Sequence, residues 1–374
     1  KIYRRNVAEN VSFNPIENFK GTVYVTTSFK KEIGKSGRTI CACDTQSYVA
    51  FHHLFKPVED CWRNKSVLLS PGKDGHSMMA DRVRRLDGKL KFMLDYEEFD
   101  KQHTILSQKI VLEELVKYID YPQNLAKKLI NSFDRMIIHA NKRALGFSKF
   151  SLMSGHRGTT FINSVLNKAY LMMCVGVDNW VGIDSLHTGD DVVACINNIN
   201  VLDLLLSKLP IFNVRLNPNK QSVGYKSWEF LRVAINDEYC IGYFSRALGR
   251  FVSGNWETQR PMNREEKIRL WISSTRTLIN RSLDITICEL FKKTMHNNTR
   301  LKINVCKELL EGRRALGNDP CYFTDGNWWG HKIIDRSFGT LNNVNKQMIL
   351  YGQMKKHNYR SLATQSYMTH CMSA

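Results

Sequence analysis

The stretch SLHTGDDVVACI, Ser185 to Ile196, constrains the fold more than any other part of this chain. Ile183 and Leu186 lead in, Gly189 follows, two aspartates stand side by side, and Val192, Val193 and Ile196 lead out. Glycine readily takes the positive φ that a tight hairpin needs. A hairpin built this way carries Asp190 and Asp191 at its tip. Adjacent carboxylates repel, and aspartate is a poor strand residue. The tip is therefore either plainly solvated or one half of a cation site.

A second acidic strand end lies upstream. The apolar run Leu90–Leu94 reads as a short buried strand and ends at Asp95. Three carboxylates from two strand ends make a hard, oxygen-rich set that suits magnesium, which keeps water and substrate phosphate as its other ligands. The chain carries a net charge of +19. That surplus points to a polyanionic partner, nucleic acid first. With 374 residues, 43% of them hydrophobic, the chain is long enough for two or three packed subdomains and too apolar for a disordered one.

Ten cysteines occur without CxxC pairs, which favours reduced thiols. Cys41 and Cys43 stand near His52 and His53, but their spacing matches none of the usual zinc patterns. No apolar run is long enough for a transmembrane helix, and no signal peptide is read at the start. A chain that begins at Lys1 reads as a piece of a longer protein.

Residues 1–94 look irregular and mixed, with strand-like runs such as GTVYVTTSF. Residues 105–145 have helical spacing, broken at Tyr121-Pro122. SGHRGTTFINSVLNKAYLMMCVG is a loop feeding a long helix that Gly176 stops, and VLDLLLSKLP is a further helix ended by Pro210. From about residue 255 onward the chain looks helical, and Asn263 with Glu266 forms a capping-box pattern. This order predicts an α+β fold, with helices packed on one face of a small antiparallel sheet.

In order along the chain, LDYEEFDKQH, SGHRGTTFINSVLNKAYL and HTGDDVV resemble motifs A, B and C of viral RNA-dependent RNA polymerases. The second is most similar to the form found in totiviruses and related double-stranded RNA viruses. SFKKEIGKSGRTI resembles motif F, and LNPNKQSVGYKSWEFLRVAI resembles motifs D and E. The likeness runs from about residue 28 to about 256.

The resemblance implies a right-hand polymerase of fingers, palm and thumb. Its pieces would be fingers over 1–88, palm over 89–110, a helical fingers insertion over 111–150, palm again over 151–254 and a mainly helical thumb over 255–374. Asp95 and Asp190 would hold two Mg2+ ions, for which Mn2+ could substitute. The Tyr96 carbonyl would be an extra ligand and Asp191 an accessory one. Asp100, Ser154 and Asn163, supported by Thr159, would sense the ribose hydroxyls. Arg38 and then Lys35 would bind the triphosphate, while Lys30 or Lys31 would touch template or nucleotide. Lys220 would protonate the departing pyrophosphate, with Lys226 close by as the other candidate. Arg157 and His156 would meet template phosphate, and Arg246 and Arg250 would meet RNA phosphate. Gly155 and Gly158 would give the motif B loop freedom to move. His103 reads as structural. FLR, Phe230 to Arg232, would be a strand gripping the nascent RNA. The implied partners are template and nascent RNA, nucleoside triphosphates and a viral capsid protein, in the host cytoplasm inside the virion.

Two other readings use the same residues. A reverse transcriptase shares the metal chemistry, but Asp100 and Asn163 stand against it. A non-catalytic RNA-binding or packaging module suits the charge, but three carboxylates repel RNA unless metal is bound.

Overall fold

The computed structural model describes residues 14–30, 37–69, 89–225, 228–235, 240–253, 262–282, 284, 286–314, 316, 320–322 and 330–332. The chain divides into two compact units, one of residues 1–70 and 89–223, the other of residues 71–88 and 224–374. Among the described residues no helix is long and apolar enough to cross a membrane.

In chain order the strands of the first unit are β1 (Val23–Lys30), β2 (Arg38–Cys43), β3 (Leu90–Leu94), β4 (Met136–Ala140), β5 (Arg143–Phe147), β6 (Asp184–Thr188) and β7 (Asp191–Ile196), with β8 (Ser222–Gly224) at its end. They form two sheets, ordered β2-β1-β4-β5 and β6-β7-β3-β8. In the first, β1 runs parallel to β4 and antiparallel to β2. In the second, β7 pairs antiparallel with both β6 and β3.

The run Leu90–Leu94 is the buried strand expected, with every residue out of solvent. Alternation sends Leu90, Phe92 and Leu94, with Val192, Ala194 and Ile196 beside them, into one core. Leu171, Cys174 and Val175 of the helix Thr159–Val175, and Leu202 and Leu205 of the helix Ile199–Lys208, fill the other side of that core. The N-terminal half of the same helix enters a different core. There Phe161, Ile162 and Leu166 meet Phe51 and Phe55 of the helix Thr45–Cys61, together with Leu112 and Phe133. One 17-residue helix thus ties both sheets of the unit together.

Two local expectations are corrected. Residues 1–94 are not merely irregular, because Thr45–Cys61 is a helix whose N-terminus is capped by the Asp44 carboxylate on the Ser47 amide at 2.8 Å. Helical structure does not extend to residue 145 either. It stops with the turn Ser132–Arg135, and β4 and β5 follow as a hairpin. Asn141 and Lys142 both take positive φ, 49° and 67°, the signature of a type I′ hairpin turn. β-branched Ile137 and Ile138 then favour the strand.

In the second unit β9 (Trp228–Phe230), β10 (Val233–Ile235) and β11 (Cys240–Gly242) form an antiparallel meander. Leu231 and Arg232, at φ 51° and 65°, make its first turn, so FLR is a strand end plus a turn rather than a strand. Helices Phe244–Ser253, Arg264–Ser282, Ile287–Thr299 and Ile303–Glu311 gather around Ile268, Leu278, Cys288, Met295, Leu309 and Leu310. The capping box is present. The Glu266 amide donates to Asn263 Oδ1 at 2.8 Å, and the Asn263 amide donates to Glu266 Oε2 at 3.1 Å.

Candidate active site

The β6–β7 hairpin turns through Gly189 and Asp190 alone, since Thr188 already pairs with Asp191. Gly189 has φ +62° and Asp190 does not share the positive region, the pattern of a type II′ turn. On the neighbouring ladder Leu94 pairs with Val192. One step further in the same register sets Asp95 across from Asp191. The three carboxylates read from the sequence therefore belong to one end of one sheet.

Asp95 is strapped by the segment that follows Pro210. The Asn217 amide and Gln221 Nε2 both donate to its carbonyl, each at 2.8 Å, and its own amide donates to Gln221 Oε1 at 3.2 Å. Tyr96 faces Leu216 between the bonds Glu97–Arg215 and Asn217–Asp95. In such a non-hydrogen-bonded position its own carbonyl points away from the strap. Lys220 Nζ lies 3.2 Å from Asp95 Oδ2. Both side chains reach solvent, so this ion pair contributes at most about 1 kcal/mol and exchanges readily.

A magnesium site is implied by the residue types, and the donors fit in part. The carboxylates are hard oxygen ligands on adjacent strand ends, and the Lys220 ammonium already occupies a cation position against Asp95. Among the described residues, however, no three His, Cys, Asp or Glu side chains close into a metal-holding cluster. The backbone is in register for such a site, while the Asp95 carboxylate is turned to lysine.

The turn itself is held by buried polar side chains of the helix Thr159–Val175. Asn167 Nδ2 donates to the carbonyls of Gly189, at 3.1 Å, and Asp191, at 3.5 Å. Asn167 Oδ1 accepts from the Tyr96 hydroxyl at 3.1 Å and from His187 Nδ1 at 2.9 Å. Ser164 Oγ accepts from the Gly189 amide at 2.8 Å. Asn167, Ser164 and His187 are fully buried. Burial, with a smaller push from Lys168, lowers the His187 pKa to about 3 and keeps the ring neutral. Burial also raises the Tyr96 phenol well above its ordinary range, and the Asp190 charge adds to the rise. Sequence reading passed over Asn167, Ser164 and His187. For Asn167 and Ser164 the signal was polar residues on the buried stripe of a mostly apolar helix, and for His187 a polar residue inside the strand β6.

The residues expected to read the sugar are held by the short turn Phe99–Gln102, by β2 and by His103. Asp100 sits in the short turn Phe99–Gln102, and its carbonyl accepts from the Leu152 amide at 2.8 Å. Its carboxyl is pushed up chiefly by burial, with Glu98 and Asp190 adding to the rise and its own backbone amide and Lys101 opposing it. Ser154 Oγ accepts from the Cys41 amide of β2 at 3.1 Å, and the Gly155 amide donates to the Cys41 carbonyl at 2.8 Å. A Cβ on Gly155 would come within 2.7 Å of that carbonyl oxygen. Gly155 thus serves close backbone approach between the loop and β2, not looseness. Asn163 Oδ1 is 2.7 Å from Nε2 of His103, which is fully buried. Asp100 also contributes to raising the Cys41 thiol pKa, after burial, so β2 and the motif A turn lie together.

Three expectations change here. Arg157, expected at template phosphate, instead turns into the protein. Its guanidinium forms a fork on Glu59, at 2.7 and 2.6 Å, donates to His52 Nδ1 at 3.0 Å and is 11% exposed. It pins the motif B loop to the helix Thr45–Cys61. His156 is buried against Phe51 at 4.3 Å between ring centroids and accepts from the Gly158 amide at 3.0 Å. Thr159 Oγ1 donates to the carbonyls of Met153, at 2.8 Å, and His156, at 2.7 Å, closing the loop rather than joining the ribose-reading group.

On β2, Arg38 lies three residues from Cys41, roughly 10 Å along the strand, and pairs across the ladder with Lys30. Lys31, Lys35 and Lys226 lie outside the described residues. In the second unit Arg246 is exposed on the helix Phe244–Ser253, and with Arg250 it depresses the Arg281 pKa after the larger effect of burial.

A family model described as viral RNA-directed RNA polymerase matches residues 1–256. The chain belongs to this family. Two relatives are each described as a probable RNA-directed RNA polymerase. The protein of Leishmania RNA virus 1 - 1 (isolate Leishmania guyanensis) is 38% identical over 336 residues, 88% of this chain and 38% of the relative. That of Helminthosporium victoriae virus-190S is 36% identical over 325 residues, 86% of this chain and 38% of the relative. The chain therefore spans well under half the length of these relatives. Among solved structures, the RNA-dependent RNA polymerase of a human picorbirnavirus aligns with a TM-score of 0.59 at 13% identity, over 76% of this chain and 58% of that one. Its insertion-loop deletion mutant aligns with the same score at 15% identity, over 78% and 65%. The shared feature is the fold, the α+β right-hand fold expected from the motifs. The family membership also agrees with the totivirus-like form of motif B.

Proposed function

We propose that this chain is the catalytic part of an RNA-directed RNA polymerase that replicates and transcribes a viral genome. The observation carrying this reading is the shared register of β3 and β7. It aligns Asp95 with the Asp190–Asp191 turn, and Asp190 lies near enough to Asp100 for its charge to act on that carboxyl. In the reaction a nascent-strand 3′-hydroxyl oxygen forms a bond to the α-phosphorus of a nucleoside triphosphate. The bond to the bridging oxygen breaks, and pyrophosphate leaves with its electron pair.

Asp95, the Tyr96 carbonyl, Asp190 and Asp191 would hold two Mg2+ ions, or Mn2+ in their place. When bound, the metal supplies charge stabilisation for the attacking and leaving oxygens. The chain's own groups do the rest. Asp100, Ser154 and Asn163 read the ribose, since a site built to bond a hydroxyl strongly rejects the analogue lacking it. Arg38 and Lys30 stand on paired strand positions, where a triphosphate or an RNA phosphate would meet both cations. Lys220, released from Asp95, gives its proton to the pyrophosphate, and Asp191 supports the primer side. General acid help of this kind is worth about 10²–10⁴-fold. Arg246 meets RNA phosphate. The fingers, palm and thumb pieces follow the boundaries implied by the motifs, with template, nascent strand and a capsid protein as partners inside a virion in the host cytoplasm.

The test is incorporation of labelled nucleoside triphosphates on an RNA template with Mg2+, for the parent and for Asp190→Asn. The parent should extend RNA and the variant should lose nearly all activity. Equal activity would sink the assignment of Asp190, and a preference for deoxynucleotides would move the reading to reverse transcription.

A further inference from the structure

The inference concerns how Asn163 is aimed, and it rests on the polymerase reading above. His103, the last residue of motif A, is wholly buried against the helix Thr159–Val175. Its ring packs edge-on to Phe99 at 4.5 Å and close to Tyr170 at 5.6 Å. Its two nitrogens are both engaged. Nε2 lies 2.7 Å from Asn163 Oδ1, and Nδ1 lies 3.0 Å from the Tyr170 hydroxyl. The Ser151 amide donates to the His103 carbonyl at 3.0 Å, so backbone and ring are both fixed.

The Asn163 oxygen needs a hydrogen, so His103 carries its proton on Nε2. Nδ1 is then an acceptor. Tyr170, which also lies 3.3 Å from Ser107 Oγ, gives its hydrogen to the nearer ring nitrogen. This choice of tautomer decides which end of the Asn163 amide is spent. The oxygen is taken inside the protein, and the NH2 group remains for the site. Asp100 offers only acceptor oxygens when ionised. A ribose 2′-hydroxyl both donates and accepts, so it is satisfied by one acceptor and one donor. The opposite amide orientation would present two acceptors to a single hydroxyl hydrogen.

We propose that His103 is a positioning residue for sugar selection: by donating from Nε2 to Asn163 Oδ1, it fixes the Asn163 amide as the donor partner of the ribose 2′-hydroxyl. No proton moves through His103. Burial lowers its pKa to about 4, so the ring is neutral at pH 7.

The test compares incorporation of a nucleoside triphosphate with its 2′-deoxy analogue. His103→Leu removes the donor and should lower the preference for the ribonucleotide about tenfold or more. His103→Gln can still donate to Asn163 and should restore most of it. Asn163→Asp replaces the half-exposed amide without emptying the core, loses the donor, and should match His103→Leu. A parental preference in both His103→Leu and Asn163→Asp would overturn the inference while leaving the polymerase reading intact. Long-range proton–nitrogen spectra of histidine-labelled parent, assigned against His103→Gln, give a readout free of catalysis. They should report the Nε2–H form, and an Nδ1–H form would overturn the proposal. A parent that incorporates neither nucleotide would instead count against the proposed function, with the spectrum still deciding the polarity at Asn163.

Discussion

The two compact units solve the problem of polar residues in different ways. In the first, Ser164, Asn167, Ser185 and His187 are buried and bonded to one another or to the turn, and His103 is buried and bonded to Asn163 and Tyr170. In the second, among the described residues, buried Thr299 bonds to the Met295 carbonyl of its own helix, Arg314 pairs with Glu308 below the surface, and Arg269 pairs with Glu265 in solvent. A buried polar network costs desolvation unless every member is satisfied, but once satisfied it specifies one geometry. The difference teaches where position matters. Under the proposed function, the first unit would hold three carboxylates and a sugar-reading group in fixed relation, whereas the second would offer exposed cations such as Arg246 to RNA.

The sharpest way to break that comparison is Asn167→Leu. The change keeps the volume close but strands the Tyr96 hydroxyl, the His187 ring and the Gly189 carbonyl. Each buried group left unsatisfied costs about 1–3 kcal/mol. Urea unfolding should show a loss of at least about 2 kcal/mol, and RNA synthesis should fall by more than stability explains. A variant with full activity and an unchanged midpoint would mean that the turn holds its shape without the helix.

Arg157 gives the next largest effect. Its fork with Glu59 is mostly buried, so Glu59→Gln or Arg157→Met should cost roughly 2–3 kcal/mol. The double variant should cost less than the sum of the two, which a double-mutant cycle on unfolding midpoints would read. Additivity would show that the fork is not a coupled pair.

Much of the first unit was legible because strand ends and turns leave local marks. Gly189 before two aspartates, the apolar run into Asp95 and the loop before Thr159 are all written within a few residues. The roles of Arg157, His156 and Thr159 were not. Each depends on a partner distant in the chain or on backbone carbonyls that sequence does not display: Glu59 for Arg157, Phe51 for His156, the Met153 carbonyl for Thr159. The hairpin of β4 and β5 was misread because Asn141 and Lys142 fill a turn usually marked by Asn-Gly, and helical residues surround it. The carboxylates expected to hold metal could be aligned by register, but the pairing of Asp95 with Lys220 spans the chain from motif A to motif D.

Acid provides a further test of the buried histidines of the first unit. His103, His156 and His187 are held neutral by burial, with pKa values near 4, 3 and 3. The unfolded chain titrates them near 6.5. Their folded pKa values are depressed, so their contribution to stability is complete above pH 6.5 and is lost as pH falls toward 4 and then 3. The unfolded first unit takes up as many as three more protons than the folded one across that window. Urea midpoints read by a probe in the first unit should therefore fall steeply between pH 6 and 4. His187→Asn should flatten the slope by about one proton. An unchanged slope would show that His187 is not neutral in the fold.

The smallest effect separates two arginines that sequence treats alike. Arg246 is exposed on its helix, whereas Arg157 spends its guanidinium inside the protein. A cation that neutralises one phosphate steepens the dependence of RNA binding on salt by about 0.7 in log units for a single strand. Arg246→Ala should reduce that slope by roughly this amount in a salt titration of RNA affinity. Arg157→Met, compared at equal folded fraction, should leave it unchanged, because its charge faces Glu59 in both free and bound protein. If the two variants lowered the slope equally, the Glu59 fork would have to open when RNA binds, and the motif B loop would be a moving part rather than the fixed anchor that the fork, Gly155 and Thr159 make it.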